Sequence, residues 1–170
     1  PMTLMPSRDF SRMTDADLAA LVAYVRSLPP VPGEAAVIRQ PLIVQALYAL
    51  GAIKDDAEVI DHALPPSVPV AETVSVEHGR YVAYMCTGCH GEALSGGAVP
   101  GAPPDWPPAA NLTPGSGSAM ASYDRPEKFA AMLRTGKRPD GRTVNAAMPF
   151  ETLRNLNDTD VGALYAFLKA

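Results

Sequence analysis

The sequence predicts an all-α fold, and three observations support this prediction. Apolar residues recur at helical spacing in several segments, for example at Leu18, Leu21, Val22 and Val25. Turn residues and prolines separate these segments, and no stretch alternates apolar and polar residues as a half-buried strand would. The apolar share of 47% is enough to build a core in a 170-residue chain. We therefore expect one helical domain with a substantial appendage.

Composition narrows the classes of function. Charged residues make up 19% of the chain and the formal net charge is −4, so a basic surface for nucleic acid is not expected. The longest apolar stretch, residues 42–53, is interrupted by Gln45 and is shorter than the about 20 residues that span a bilayer. No membrane span is predicted. The first residues lack a basic start followed by an apolar run, so no signal peptide is predicted either.

An internal repeat links the two ends of the chain. The segment that begins with Met5-Pro6 aligns without a gap with the segment that begins with Met148-Pro149. The offset between the two segments is 143 residues. Each leads into an amphipathic helix with a start that resembles a capping box, and the predicted N-caps are Thr14 and Asn157. The shared Met-Pro at a fixed distance indicates duplication, in which Met5 occupies the position of Met148.

The two copies differ in what precedes them, and this difference predicts the domain organisation. Only the second copy follows a Cys-x-x-Cys-His stretch, at residues 86–90. We therefore predict that residues 1–28 are the C-terminal tail of an upstream domain whose body is missing from this chain. Residues 29–74 are predicted to form a connector, in which prolines end the first helix and Pro41 opens one short apolar helix. Residues 75–170 form the domain that contains the cysteines.

The Cys-x-x-Cys-His stretch predicts a cofactor. It holds both cysteines of the chain, Cys86 and Cys89, and His90 follows them directly. On a helix these three residues share one face, so two thiols can reach the vinyl groups of a haem while the imidazole meets the iron. The alternatives are a thioredoxin-like redox pair, which should follow a strand, and a chance cluster. The absence of predicted strands favours one covalent haem c with His90 as an iron ligand.

Met148 is the predicted second ligand of that iron. Pro149 restricts the residue before it to extended conformations, so Met148 should be presented from a loop. Most methionines fill cores, and Met120, in a loop rich in glycine and serine, is the alternative ligand. The other two histidines, His62 and His78, are expected at the surface without a ligand role.

These motifs resemble those of the class I c-type cytochromes. The resemblance is greatest to the haem domains of multi-haem cytochrome subunits that accompany bacterial alcohol, aldehyde and sugar-acid dehydrogenases. It spans about residues 75–170 and, in degraded form, residues 1–28. The motifs that carry it are Cys86 to His90, Asn111-Leu112-Thr113-Pro114, Arg134-Thr135-Gly136 with Pro139-Asp140-Gly141, and Met148-Pro149.

The resemblance implies an all-α, cytochrome c-like haem domain with an N-terminal helical appendage. It implies axial ligation by His90 and Met148, and it places Asn111 and Leu112 in the haem pocket, although both could simply form a turn before Pro114. It also implies a periplasmic location, including a peripheral position at the inner membrane. Members of this branch carry two or three haem domains in series, whereas this sequence has a single Cys-x-x-Cys-His and predicts a single haem.

With both axial positions filled by protein, the sequence predicts an electron carrier and not an enzyme. The predicted partners are redox proteins: a dehydrogenase catalytic subunit as donor, and a respiratory oxidase or another cytochrome as acceptor. One alternative is a haem enzyme or gas sensor, peroxidase-like, with a labile distal methionine. In a second alternative, which is compatible with the first prediction, residues 1–74 dock the haem domain to a catalytic subunit. The basic residues Arg134, Lys137, Arg138 and Arg142 could neutralise haem propionates, meet a partner or form a solvated cluster.

Overall fold

A computed structural model describes residues 7–34, 37, 39–64 and 67–170. Within these ranges the regular structure consists of eight α-helices and two short 3₁₀ helices, together with two isolated β-bridges and no strand. The predicted all-α class is confirmed. The chain divides into two compact units, one ending at Pro69 and the other comprising Val70–Ala170. Met5, the repeat mate of Met148, lies outside the described residues.

The described part of the first unit contains three α-helices with little buried surface. They are α1 (Ser7–Phe10), α2 (Asp15–Ser27) and α3 (Leu42–Ala49), and none of them has a fully buried residue. Thr14 is the N-cap of α2, as predicted, since its hydroxyl accepts a hydrogen bond from the backbone N–H of Asp17 at 3.1 Å. Among the described residues, no helix is long and apolar enough to cross a membrane.

The second unit contains five helices around one core. They are α4 (Val76–Val82), α5 (Tyr84–His90), α6 (Pro126–Thr135), α7 (Phe150–Leu153) and α8 (Asp158–Lys169). The predicted helix leading into Cys86 is interrupted at Ala83, where the N–H of Cys86 bonds the Ala83 carbonyl three residues back. α6 ends at Gly136, whose φ of +69° is the left-handed conformation that favours glycine at this position.

The core of the second unit is organised by the crossing of α4 and α8. At Gly79 the two backbones touch, because an added Cβ would lie 1.9 Å from the Ala163 carbonyl oxygen and 2.7 Å from Cβ of Phe167. Only glycine fits there. The close approach buries Val161, Ala163, Leu164 and Leu168 of α8 together with side chains of α4 and α6.

The surface position predicted for His78 is wrong. His78 is buried, with 6% of its area exposed, and its Nε2 lies 2.7 Å from Oδ1 of Asp160. His78 lies next to Gly79 in the first turn of α4, and this turn packs against the first turn of α8. The close crossing that Gly79 permits therefore also buries His78. Its Nδ1 has no hydrogen-bond partner. His62 is exposed, as expected.

The predicted repeat is visible in the helices. Shifted by the 143-residue offset, α1 has the same bounds as α7, and α2 begins at the same position as α8. The N-caps match as well, because Thr14 and Asn157 each accept a hydrogen bond from the backbone N–H three residues on. The copies differ in burial: α8 has four buried residues and α2 has none.

The crossing generates a testable contrast between two helical glycines. Gly79→Ala should lower the free energy of unfolding by about 3 kcal/mol, because the methyl group collides with the backbone of α8. Gly162→Ala is the matched control in α8, where a Cβ would meet only side-chain atoms of Val74, the nearest at 3.2 Å. The gain in helix propensity should keep its effect within about 1 kcal/mol. Denaturant unfolding monitored by circular dichroism measures both; equal stability of the two variants would contradict the described crossing.

Candidate functional site

The Cys-x-x-Cys-His stretch forms most of α5, the short helix that follows the crossing. Cys86 is partly buried and lines a cavity in the second unit, and His90, one turn further on, lines the same cavity. Cys89 is exposed and does not line it. The first cysteine and the histidine therefore face the interior, while the second cysteine lies at the solvent side. The predicted shared face holds for Cys86 and His90 but not for Cys89, which does not line the cavity.

The cavity is open on one side and predominantly apolar. Its empty volume, including the open mouth and the solvent in it, is about 600 Å³. Its walls come from α6, α8 and the loops between α5 and α7, and they include Leu112, Phe129, Leu133, Val144, Leu164 and Leu168.

The imidazole of His90 is fixed in one tautomer by its surroundings. Its Nδ1 lies 2.7 Å from the carbonyl oxygen of Ala110. A carbonyl oxygen can only accept a hydrogen bond, so Nδ1 carries the proton and donates it. Nε2 is then the atom of this ring whose lone pair can bind a metal. The carbonyl contact also orients the ring.

Three methionine side chains reach the cavity. Met148 is half-buried and lies outside α7, so it is presented from a loop, as predicted. Met120 and Met132 are buried, with 1% and 5% of their area exposed. Met120 belongs to the 3₁₀ helix Ala119–Ser122, which Ser118 caps. The structure therefore brings both the predicted ligand and its alternative to one cavity.

The two other predicted pocket residues have different surroundings. Leu112 lines the cavity. Asn111 does not, because its side-chain oxygen accepts hydrogen bonds from the backbone N–H and the hydroxyl of Thr113, at 2.8 and 2.7 Å. Its amide side chain thus stabilises the turn before Pro114.

One cation faces this apolar site. Of the four basic residues between positions 134 and 142, Arg138 lines the cavity, whereas Arg134 pairs with Asp158 at 3.0 Å and Arg142 with Asp140 at 2.7 Å. Burial raises the pKa of the cavity-lining Tyr123, and Arg138 opposes that rise. At neutral pH the phenol is therefore protonated and the guanidinium supplies the charge.

The thiol that faces the cavity is also neutral as long as it is free. Burial first, and then the charge of Cys89, raises the pKa of Cys86 to about 11. A free thiol at this position stays protonated at physiological pH. A thioether formed with it would be uncharged, which suits an apolar wall.

The sequence did not reveal two features of this site. The Ala110 carbonyl is a backbone group, so no residue type marks it. Tyr123 and Phe129 stack edge-on, with ring centroids 5.7 Å apart, but they look like ordinary core residues in the sequence. Neither feature leaves a pattern that spacing could reveal.

The residues present fit a covalently bound haem. Cys86, His90 and Met148 supply a thiol, an imidazole nitrogen and a thioether at one apolar cavity, and Arg138 is placed to meet anionic substituents. A Cys-x-x-Cys-His helix beside such a cavity, in an all-α unit, defines the class of c-type cytochromes.

The chain belongs to the cytochrome c family, because the model of the family described as "Cytochrome c" matches residues 76–170. This confirms the resemblance and the cytochrome c-like fold predicted from the sequence. It also confirms the predicted class, an electron-carrier domain, and it implies haem c as the cofactor.

Relatives of known name support the same branch of the family. The chain is 33% identical over 110 residues to the fructose dehydrogenase cytochrome subunit of Gluconobacter japonicus, in an alignment that covers 61% of this chain and 22% of the relative. It is 35% identical over 103 residues to the cytochrome c subunit of the quinone alcohol dehydrogenase of Gluconobacter oxydans, covering 57% and 21%. It is 32% identical over 105 residues to the corresponding subunit of Komagataeibacter europaeus, covering 58% and 22%. The aligned part thus spans about a fifth of these relatives.

Proposed function

We propose that this chain transfers electrons through one haem c that is attached to Cys86 and Cys89 and ligated by His90 and Met148. The observation that carries the proposal is the tautomer of His90. Its Nδ1 donates to the Ala110 carbonyl at 2.7 Å, so Nε2 is available in the cavity that Cys86 and Met148 also line. When bound, a haem supplies reversible one-electron exchange between its ferric and ferrous states.

Different side chains of the site would hold the haem and set its reduction potential. The two cysteines would form its covalent attachment, and the oriented His90 ring would supply Nε2 as a ligand. The thioether of Met148 is a weak, soft ligand that raises the reduction potential. The apolar walls exclude water, and exclusion of water also controls the potential. With His90 and Met148 both holding the iron of a bound haem, no position on it would be open to substrate, and the chemistry supplied would be outer-sphere electron transfer.

Three further residues complete the proposed site. Arg138 would pair with the haem carboxylates, because it is a cation at an otherwise apolar wall. Leu112, which lines the same cavity, would pack against the haem from the loop. Asn111 acts indirectly, through the turn that holds Leu112.

Replacing each cavity methionine by leucine tests the ligation. Leucine preserves volume but cannot bind iron. In the haem-loaded chain Met148→Leu should abolish the weak far-red sulfur-to-iron absorption, open the iron to carbon monoxide and lower the potential by roughly 0.1–0.3 V, within the about 0.8 V range that axial ligands set. Met120→Leu and Met132→Leu are the matched controls and should keep all three properties.

The same three variants separate the alternatives. If Met120→Leu, and not Met148→Leu, opens the iron, the distal ligand is Met120. If the unmodified protein already binds carbon monoxide rapidly at neutral pH, the site is that of a gas sensor or peroxidase-like enzyme and the proposal is wrong.

We also infer the place of this chain in an electron route. We propose that it lies in the periplasm, receives electrons from a dehydrogenase catalytic subunit and passes them to a respiratory oxidase or another cytochrome. The names of the relatives, cytochrome subunits of fructose and quinone alcohol dehydrogenases, support this. The net charge of −4, made more negative by haem carboxylates, favours partners with a positive patch.

The domain organisation proposed for the chain follows its repeat. Residues 1–28 are the tail of an upstream cytochrome c-like domain, residues 29–74 are a connector with one short helix, and residues 75–170 are the haem domain. The coinciding bounds of α1 and α7, and the matching caps of α2 and α8, support the first assignment.

The connector offers a specific test of docking to a dehydrogenase. In α3 the side chains of Leu42 and Ile43 are 82% and 71% exposed, on a helix without a charged residue. Replacing both by serine should reduce co-purification of the chain with a subunit that has dehydrogenase activity at least tenfold. Val31→Ser with Val68→Ser is the matched control, since these residues are 83% and 79% exposed. Equal recovery with both double variants would rule out α3 as the docking element.

A further inference from the structure

Two short segments are joined beside His90, at the base of a proline-rich loop. Gly97 and Ala109 exchange both of their backbone hydrogen bonds, at 3.0 and 2.8 Å. The N–H of Leu112 donates to the carbonyl of Leu94 at 2.8 Å. We call these two residue pairs the backbone clamp. The loop they enclose, residues 98–108, leaves and returns at nearly the same place.

Gly96 lies between Leu94 and Gly97 of the backbone clamp and packs against the backbone of Ala109 and Ala110. Its N–H donates to the carbonyl of His90 at 2.9 Å. A Cβ at this position would lie 2.3 Å from the carbonyl oxygen of Ala109, and 2.6 and 2.7 Å from the carbonyl carbon and oxygen of Ala110. Three backbone atoms therefore occupy the space that any other residue needs, and no flexible side chain can yield.

The backbone on this side is also strained. Leu94 has a φ of +54° and is, among the described residues, the one that combines a positive φ with a side chain. Its side chain is buried, with 7% of its area exposed. Such conformations are unfavourable and persist where the surroundings fix them. Here the buried side chain and the Leu112 hydrogen bond hold the strained residue two positions before Gly96.

We infer that Gly96 is a positioning residue for the iron ligand: it lets the backbone clamp close on the Ala109–Ala110 peptide, which presents the Ala110 carbonyl to Nδ1 of His90. The inference rests on the proposed ligation by His90 and deepens it. The Ala110 carbonyl is part of a backbone segment, so its position depends on the groups that pack against that segment. At Gly96 the contact is between the backbone of Gly96 and the backbone of Ala109 and Ala110.

The position of the carbonyl has a chemical consequence. A close acceptor at Nδ1 makes Nε2 a stronger electron donor to a bound iron, and a stronger donor favours the ferric state. If the acceptor moves away, the equilibrium shifts toward the ferrous state. The backbone clamp also separates His90 from residues 98–108, so that changes in that loop should not reach the iron.

Two alanine substitutions test this inference, because Gly96 and Gly101 differ mainly in their neighbours. Their φ angles are +74° and +75°, but a Cβ at Gly101 would meet nothing within 4 Å. In the haem-loaded full chain Gly96→Ala should shift the reduction equilibrium at least threefold toward the ferrous state, which is about 28 mV at 59 mV per tenfold for one electron. The Nδ1 proton of His90 should exchange with solvent at least tenfold faster, as measured by NMR. Gly101→Ala should change neither property.

Each outcome decides a separate point. If Gly96→Ala folds and matches Gly101→Ala in potential and proton exchange, Gly96 is structural only and the inference is overturned. If the unmodified chain shows no iron-shifted ring signals of His90, the proposed ligation fails instead. If Gly96→Ala yields no folded haem protein, Ala109→Pro replaces it, because that change removes one hydrogen bond of the clamp without adding atoms at Gly96. A shift in the same direction supports the inference, and an unchanged potential overturns it.

Discussion

The contact between the backbones of α4 and α8 at Gly79 and Ala163 is the constraint on which the rest of the second unit depends. It sets the position of α4, and α5 follows α4 after a single residue, so the crossing also places Cys86 and His90. From the other helix it places Leu164 and Leu168 on the wall of the same cavity. One steric requirement, the absence of a side chain at position 79, therefore couples the core to the site. It also buries His78 against Asp160, which adds a polar link at the same end of both helices.

The site combines a rigid side with a side that depends on one loop. On the His90 side, the ring is held by the Ala110 carbonyl, and that carbonyl belongs to a segment fixed by several backbone hydrogen bonds. On the Met148 side, the thioether comes from a loop before a proline, and two other methionines lie close enough to line the same space. A weak thioether ligand would suit such a loop, because the apolar walls and the proposed covalent attachment would already hold the haem. The stronger structural constraints are thus on the His90 side, where the imidazole must be held in one orientation.

The sequence predicted those features whose cause is local. Residues within a few positions of one another determine these features, which are the Cys-x-x-Cys-His spacing, the caps Thr14 and Asn157, and the loop placement of Met148. The features it did not predict are contacts between distant backbones. His78 was expected at the surface because its burial depends on a helix 82 residues further along the chain. The carbonyl of Ala110 and the contact at Gly96 have no residue type that marks them, since the atoms involved occur in every peptide.

The intact mass of the chain, produced in a host that attaches haem c and recorded under denaturing conditions, tests the central claim most directly. A single haem that stays bound through Cys86 and Cys89 predicts the mass of the polypeptide plus one haem, and loss of that increment when both cysteines are replaced by serine. The mass of the bare polypeptide, or a mass with two haems, would contradict the account.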